Sequence, residues 1–385
     1  MIYLDNAATT QPLETTAPGN AAFFANPSSP HVLGIAAERA VSKARQTLAD
    51  ILRCKPKEII FTSGGTESNN LAILGFAMAQ KKPNALPVIF AEPWAHPSVL
   101  APIHYTVEQN RAYGQIAAGS KWNIPANGLV MVCLSHINHE TGDITDIPAI
   151  ARDVKGINPE AVIFVDGAQG FCKDENAAEV YKHADIYTFS GHKCHAPAGV
   201  GGLTIRGNIK LAPLIHGGWQ ENGLRSGTEN TAGIVSLAHA AEYLHGNLSA
   251  NCGKVKKLRD SLAELTDEIP GAAVNKLCQI DNGRGNPMRG TGVSPYILSM
   301  SFPGVKGEVL VHMLSEKGIY ASTGAACKSR KKDKSTLAVM GFPKEITESA
   351  VRFSFSHFNT PDEIERTKES VIASVNQLRK IRGYK

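Results

Sequence analysis

Five short clusters hold the residues whose types and spacing can do chemistry. FSGHKCHAPAGVGGL, Phe189 to Leu203, sets Lys193 beside Cys194, between two histidines and ahead of a glycine-rich run. A lysine in a partly desolvated position loses its proton readily and condenses with an aldehyde, so Lys193 is a Schiff-base candidate. Taken alone it is equally a surface lysine in a loop. SGGTESNN, residues 63–70, puts Gly65 and Thr66 at a helix opening, where free N–H groups and the positive dipole end favour an anion. It lacks the closing lysine of a Walker loop and the GxGxxG spacing of a dinucleotide site, so the phosphate it suits belongs to another cofactor. Asp166, closing AVIFVD, is costly to bury unless paired, and a protonated ring nitrogen would be such a partner. Capping the DGAQG turn is its plainer use. Gln169 can donate to a phenolic oxygen or face solvent. His96 in WAHPS can stack on a planar ring and move protons near neutral pH. Cys327 in YASTGAACKSRKKDK precedes Lys328, Arg330, Lys331, Lys332 and Lys334, whose charge favours the nucleophilic thiolate. A solvated charge run is the plainer reading there.

Positioning these residues requires a common scaffold, and one is visible. Six short apolar runs punctuate the first two thirds of the chain: EIIFTS (58–63), PVIFAE (87–92), LVMVCLS (129–135), AVIFVD (161–166), DIYTFS (185–190) and GGLTIR (201–206). Nearly all-apolar strands separated by helical segments predict an α/β fold with a mostly parallel sheet covered on both faces. Such sheets bind ligands beyond the carboxyl ends of their strands, which is where the polar clusters fall. A phosphate cradle, an aspartate for a ring nitrogen, a stacking histidine and a lysine at the ends of one sheet together describe a pyridoxal-phosphate site. After a lysine-rich helix (252–265), the remainder reads as α+β. It has strands at 296–302 and 350–356, helices at 307–318 and from Pro361, and an exposed loop over 280–295.

Composition narrows the class. The 385 residues can bury two ordinary cores, and 43% hydrophobic with 19% charged residues suits a globular enzyme. The net charge of +5 comes from basic residues spread along the chain, so no nucleic-acid partner is expected. No run of about 18 apolar residues predicts a membrane span. Seven cysteines lie more than twenty residues apart, which offers no CxxC pair, and no histidine spacing matches a metal site. Free thiols and no metal in a reducing, cytoplasmic setting are the expectation.

The whole chain resembles the class-V aminotransferase-like cysteine desulfurases that supply sulfur for iron–sulfur clusters. The resemblance rests on YLDNAATT (3–10), NPSSPH (26–31), FTSGGTESNN (61–70), VDGAQG (165–170), SGHK (190–193), LRSGTEN (224–230), STGAAC (322–327) and VRFSFS (351–356). It implies a fold type I homodimer using pyridoxal 5'-phosphate. A large, seven-stranded-type cofactor domain would span 15–250, and a smaller α+β domain 1–14 and 251–385. Lys193 matches the lysine that carries the cofactor covalently. Thr66, Ser190 and His192 match its phosphate contacts, and Thr228 the threonine reaching the phosphate of the neighbouring subunit. Asp166 and Gln169 match the partners of the pyridine nitrogen and phenolic oxygen, and His96 the stacking histidine. Arg352 matches the arginine for the substrate carboxylate, while Asn26 and Asn138 match asparagines near the substrate. Implied is conversion of L-cysteine to L-alanine, with sulfur passing to Cys327 as a persulfide and on to an acceptor. That acceptor is an iron–sulfur scaffold, a tRNA-thiolation enzyme or a dedicated pathway.

Four departures retune the pattern. HxNNExG reads HINHETG, placing His139 where an asparagine is usual; HGGGQE reads HGGWQE, introducing Trp219; GPKG reads APAG; and the segment after Cys327 is unusually basic. They leave open a related lyase for selenocysteine, cystine or another amino acid, and a noncatalytic scaffold is a third reading. Cys194 is expected to be a packed neighbour, its side chain diverging from that of Lys193 if the local chain is extended.

Overall fold

The structure is a computed structural model, and it describes residues 1–14, 24–79, 86–117, 122–276, 290–323 and 335–383. In chain order the first elements are β1 (Ile2–Tyr3), α1 (Val32–Leu52), β2 (Ile59–Thr62), α2 (Gly65–Ala79), β3 (Val88–Ala91), α3 (Pro97–Glu108), β4 (Tyr113–Ile116), β5 (Val130–Ser135) and β6 (Asp143–Thr145). Next come α4 (Ile147–Ile157), β7 (Val162–Asp166), α5 (Ala177–His183), β8 (Ile186–Ser190), β9 (Gly201–Ile205), α6 (Thr231–Gly246), α7 (Leu248–Ala263) and α8 (Leu265–Glu268). The last are β10 (Ala273–Val274), β11 (Gly290–Val293), β12 (Ile297–Ser301), α9 (Gly307–Glu316), β13 (Ile319–Tyr320), α10 (Thr336–Val339), α11 (Lys344–Ser349), β14 (Ala350–Ser354) and α12 (Pro361–Arg382). They gather into two compact units. One comprises Met1–Thr10, Ile137–Thr145 and Ser249–Lys385; the other comprises Gln11–His136 and Asp146–Leu248.

The second unit is built on a seven-stranded sheet in the order β2-β9-β8-β7-β5-β3-β4. Only β9 runs antiparallel to its neighbours. The apolar runs alternate between two cores because successive side chains leave a strand on opposite faces. Ile59, Phe61, Val130, Val132, Ile163 and Val165 join one core with α1, α4, α5 and α6. Ile60, Met131, Cys133, Val162 and Phe164 join the other with α2 and α3. Since β2, β3, β5, β7 and β8 are parallel, Thr62, Ala91, Ser135, Asp166 and Ser190 all finish on the same edge. The seventh strand, β4, was not among the six runs.

The first unit is α+β. An antiparallel sheet β10-β12-β14 is joined by the parallel pair β1 and β13 and the antiparallel pair β6 and β11. Helices α9 and α12 pack together, with α9 against β14. Thr360 and Glu363 form a capping box, with Pro361 at the first helical position, which fixes where α12 starts. Two details differ from the sequence reading. Residues 290–293, read as loop, form β11, because a strand from a distant segment, β6, supplies its hydrogen bonds. For the same reason residues 137–145 cluster with the C-terminal part and not with the rest of the span 15–250. Among the described residues, no helix is long and apolar enough to cross a membrane.

Candidate active site

The cradle begins where β2 ends. Thr62 Oγ1 accepts from Gly64 N at 3.3 Å and lies 2.8 Å from Ser68 Oγ, folding the chain tightly into α2. Ser63 N donates to Glu67 Oε2 at 2.8 Å, and Arg225 Nε donates to Glu67 Oε1 at 3.0 Å. Burial pushes the Glu67 carboxyl up, but the bonds from Arg225 and Ser63 outweigh it and leave it below the usual range. Facing Gly65 is Ser190, the last residue of β8. A Cβ on Gly65 would stand 3.5 Å from Ser190 Cβ and 3.8 Å from its Oγ. The Ser190 hydroxyl is buried and has no hydrogen-bond partner among the described residues. A buried unsatisfied hydroxyl beside a glycine and a helix N-terminus is an arrangement that an anion completes. Thr66, on the first turn of α2, is exposed.

Asp166 ends β7 and is buried, at 9% exposure. Its Oδ1 accepts from Ala168 N at 3.0 Å, and its Oδ2 from Asn69 Nδ2 at 2.9 Å. Asn69 also donates to Ser98 Oγ at 2.8 Å and accepts from Thr188 Oγ1 at 2.8 Å. Ser98 Oγ in turn lies 2.7 Å from His96 Nδ1. One network thus runs Asp166–Asn69–Ser98–His96 and ties the ends of β7 and β8 to α2 and α3. Asn69 and Ser98 escaped the sequence reading; the available signal was a buried amide in the otherwise apolar α2. His96 caps α3, accepting from Ser98 N at 3.1 Å. Burial lowers the basicity of its imidazole, with Lys193 adding to the effect and Asp166 opposing it.

Lys193 lies at the end of a 3-10 turn, Gly191–Lys193, that follows β8, and is half-buried. Its neighbour His192 is brought down to about 4 by burial first, then by the charges of Lys193 and Lys173. The chain at 193–194 therefore turns and is not extended, because Cys194 N closes the turn onto Gly191 O at 2.9 Å. Cys194 is still a packed residue, 1% exposed, its Sγ 3.3 Å from Gly191 O. Burial pushes that thiol up to about 12, so it carries no thiolate near neutrality. Gln169 is buried in the turn after Asp166, whereas Thr228 and Asn26 are exposed. Asn26 Oδ1 accepts from Ser28 N at 2.9 Å, within its own loop.

In the other unit, Asn138 Oδ1 accepts from Glu140 N and Thr141 N at 2.9 and 3.0 Å, while its buried Nδ2 has no partner among the described residues. Arg352, on β14, is 5% exposed. It donates from Nη1 to His139 O at 2.8 Å and from Nη2 to Asp5 Oδ1 at 3.0 Å. Asp5 was not singled out in the sequence. Cys327 lies outside the described residues.

Comparison with known proteins decides the family. The family model Aminotransferase class-V matches residues 2–367. The chain belongs to the class-V aminotransferase family. This class-V chain is 32% identical over 392 residues to cysteine desulfurase IscS of Methanosarcina thermophila, an alignment spanning 98% of this chain and 93% of the relative. Among solved structures, a NifS-like protein superposes with a TM-score of 0.83 at 30% identity, covering 98% of this chain and 99% of that one. SspA in complex with cysteine superposes with a TM-score of 0.73 at 25% identity, covering 94% and 100%. The fold is that of the type I pyridoxal-phosphate enzymes, and class-V members are pyridoxal-phosphate-dependent. The donor set of the seven-stranded unit fits that cofactor. An unsatisfied Ser190 hydroxyl and the start of α2 suit the phosphate, a buried Asp166 carboxylate suits a ring N–H, His96 supplies a flat ring and Lys193 an amine.

Proposed function

We propose that the protein is a pyridoxal-phosphate-dependent cysteine desulfurase, converting L-cysteine to L-alanine and passing the sulfur to an acceptor protein. The observation that carries this reading is the network Asp166–Asn69–Ser98–His96 beside Lys193, in a chain 32% identical end to end to a cysteine desulfurase. The relatives lend nothing to a lyase for selenocysteine or cystine.

When bound, pyridoxal phosphate supplies an aldehyde for an amine and an electron sink for the substrate carbon. The chain's own residues do the rest. Gly65, Thr66, Ser190 and His192 hold the phosphate, and Thr228 reaches the phosphate of a second copy in a homodimer. Asp166 keeps the ring nitrogen protonated, Gln169 donates to the phenolic oxygen and His96 covers the ring. His96 titrates below the ordinary imidazole range, so it is neutral at pH 7 and can accept the proton of the substrate thiol. Lys193 moves the proton at the substrate α-carbon. Arg352 takes the substrate carboxylate through its planar fork, with Asn26 and Asn138 nearby. Asn138 has a buried amide Nδ2 to give. The Cys327 thiolate attacks the substrate sulfur: the carbon–sulfur bond breaks, its electron pair stays with carbon, which takes a proton, and a persulfide forms on Cys327.

The cofactor domain is assigned to 15–250, apart from residues 137–145 that cluster with the C-terminal part, and the small domain to 1–14 and 251–385. Cys54, Cys133, Cys172 and Cys194 are free thiols, which supports a reducing, cytoplasmic setting. The acceptor is an iron–sulfur scaffold or a tRNA-thiolation enzyme, and the basic residues after Cys327 favour an acidic surface on it. Purified protein incubated with L-cysteine should release alanine and show the visible band of lysine-bound cofactor. Absence of alanine from a protein that carries the band would overturn the assignment.

A further inference from the structure

Behind Asp166 and Gln169 lies a second polar cluster that the proposed chemistry does not use. His136, directly after β5, is wholly buried between two hydrogen-bonding partners. Its Nε2 lies 2.9 Å from Asp174 Oδ2 and its Nδ1 lies 2.9 Å from the Tyr187 hydroxyl. Asp174 and Tyr187 are themselves 7% and 1% exposed. Burial pushes the Asp174 carboxyl up, but the His136 bond and charge outweigh it, leaving a carboxylate below the usual range. Nε2 of His136 therefore carries the proton that Asp174 accepts.

The three side chains close around the turn that carries Gln169. His136 N donates to Asp166 O at 2.9 Å, and Tyr187 Oη lies 3.4 Å from Gly167 O. Gly167 and Gly170 face these rings so closely that a Cβ on the first would overlap the Tyr187 ring and on the second the His136 ring. Asp174 closes the far end, its Oδ1 accepting from Asn176 N at 3.0 Å. Buried polar groups cost stability unless all are satisfied, so a fully paired triad in this place specifies one geometry of the turn.

We propose that His136, held between Asp174 and Tyr187, is a positioning residue: it fixes the turn Gly167–Asp174 and thereby the placement of Asp166 and Gln169 toward the cofactor. This rests on the pyridoxal-phosphate reading of the site. The test compares holoenzymes of wild type, Asp174→Ala, Tyr187→Phe and Asp174→Asn for cofactor retention during dialysis, for visible circular dichroism of the bound cofactor and for melting temperature. Asp174→Ala and Tyr187→Phe should each shorten retention about tenfold and change the visible dichroism. Asp174→Asn keeps an acceptor for Nε2 and should stay within about twofold of wild type. Wild-type retention and dichroism in both Asp174→Ala and Tyr187→Phe, whatever their melting temperatures, would overturn the proposal while leaving the cofactor reading intact. Wild-type protein that holds no pyridoxal phosphate would overturn both.

Discussion

Asp166 in one unit and Arg352 in the other are both charged and nearly buried, yet they are held in opposite ways. Asp166 receives its hydrogen bonds from neutral donors, the Asn69 amide and the Ala168 N–H. Arg352 already faces a carboxylate, that of Asp5, at 3.0 Å. An anion stabilised by neutral dipoles keeps its charge available for an incoming cation. A paired guanidinium must exchange one anion for another. The first arrangement suits a group that stays, the second a substrate that comes and goes.

The largest break in this contrast is Asp166→Ala. Removing a preorganised charge from a buried site should lower turnover by about 10²- to 10³-fold, measured as alanine formation at saturating cysteine. Arg352→Lys keeps the charge but loses the planar fork, and should raise KM for L-cysteine by about tenfold with a smaller effect on kcat. A kcat-only effect would remove Arg352 from the carboxylate. Ser190→Ala separates binding from folding. Because the hydroxyl has no partner among the described residues, unfolding free energy should change by no more than about 0.5 kcal/mol, while pyridoxal phosphate should bind several-fold more weakly.

The smallest effect is one of pH. The folded protein holds His192 near 4, below the ordinary imidazole value, so the unfolded chain binds the extra proton between about 6.5 and 4. This residue therefore subtracts stability as pH falls through that window and nothing above it. The urea midpoint of wild type should drop more between pH 7.5 and pH 5 than that of His192→Gln. An equal drop would show that His192 is not held neutral.

What could be read from the sequence follows from burial. Strands β2, β3, β5, β7, β8 and β9 are covered on both faces and announce themselves as unbroken apolar runs. Strand β4 reads YGQI and is mostly exposed at the sheet edge, so it carries no such signal. The pairing of β6 with β11 depends on partners about 150 residues apart, which local pattern does not encode. In the site, Lys193, Asp166 and His96 could be picked out as candidates because each falls at or shortly after the end of an apolar run, with a glycine or proline within two residues. Asn69, Ser98, His136 and Asp5 were not, since their roles come from contacts across the fold. Cys194 shows the limit most plainly. It was expected to be a packed neighbour on the premise of an extended chain, and it is packed for another reason: the chain turns there and buries the thiol against Gly191 O.

The central claim is that sulfur leaves cysteine onto Cys327, and persulfide mapping tests it most directly. After incubation with L-cysteine, mass spectrometry of the wild type, Cys194→Ala and Cys327→Ala proteins should find the added sulfur on Cys327 in the first two. The third should carry none and form little alanine. A Cys327→Ala protein with wild-type alanine formation, or the added sulfur on Cys194, would contradict the account.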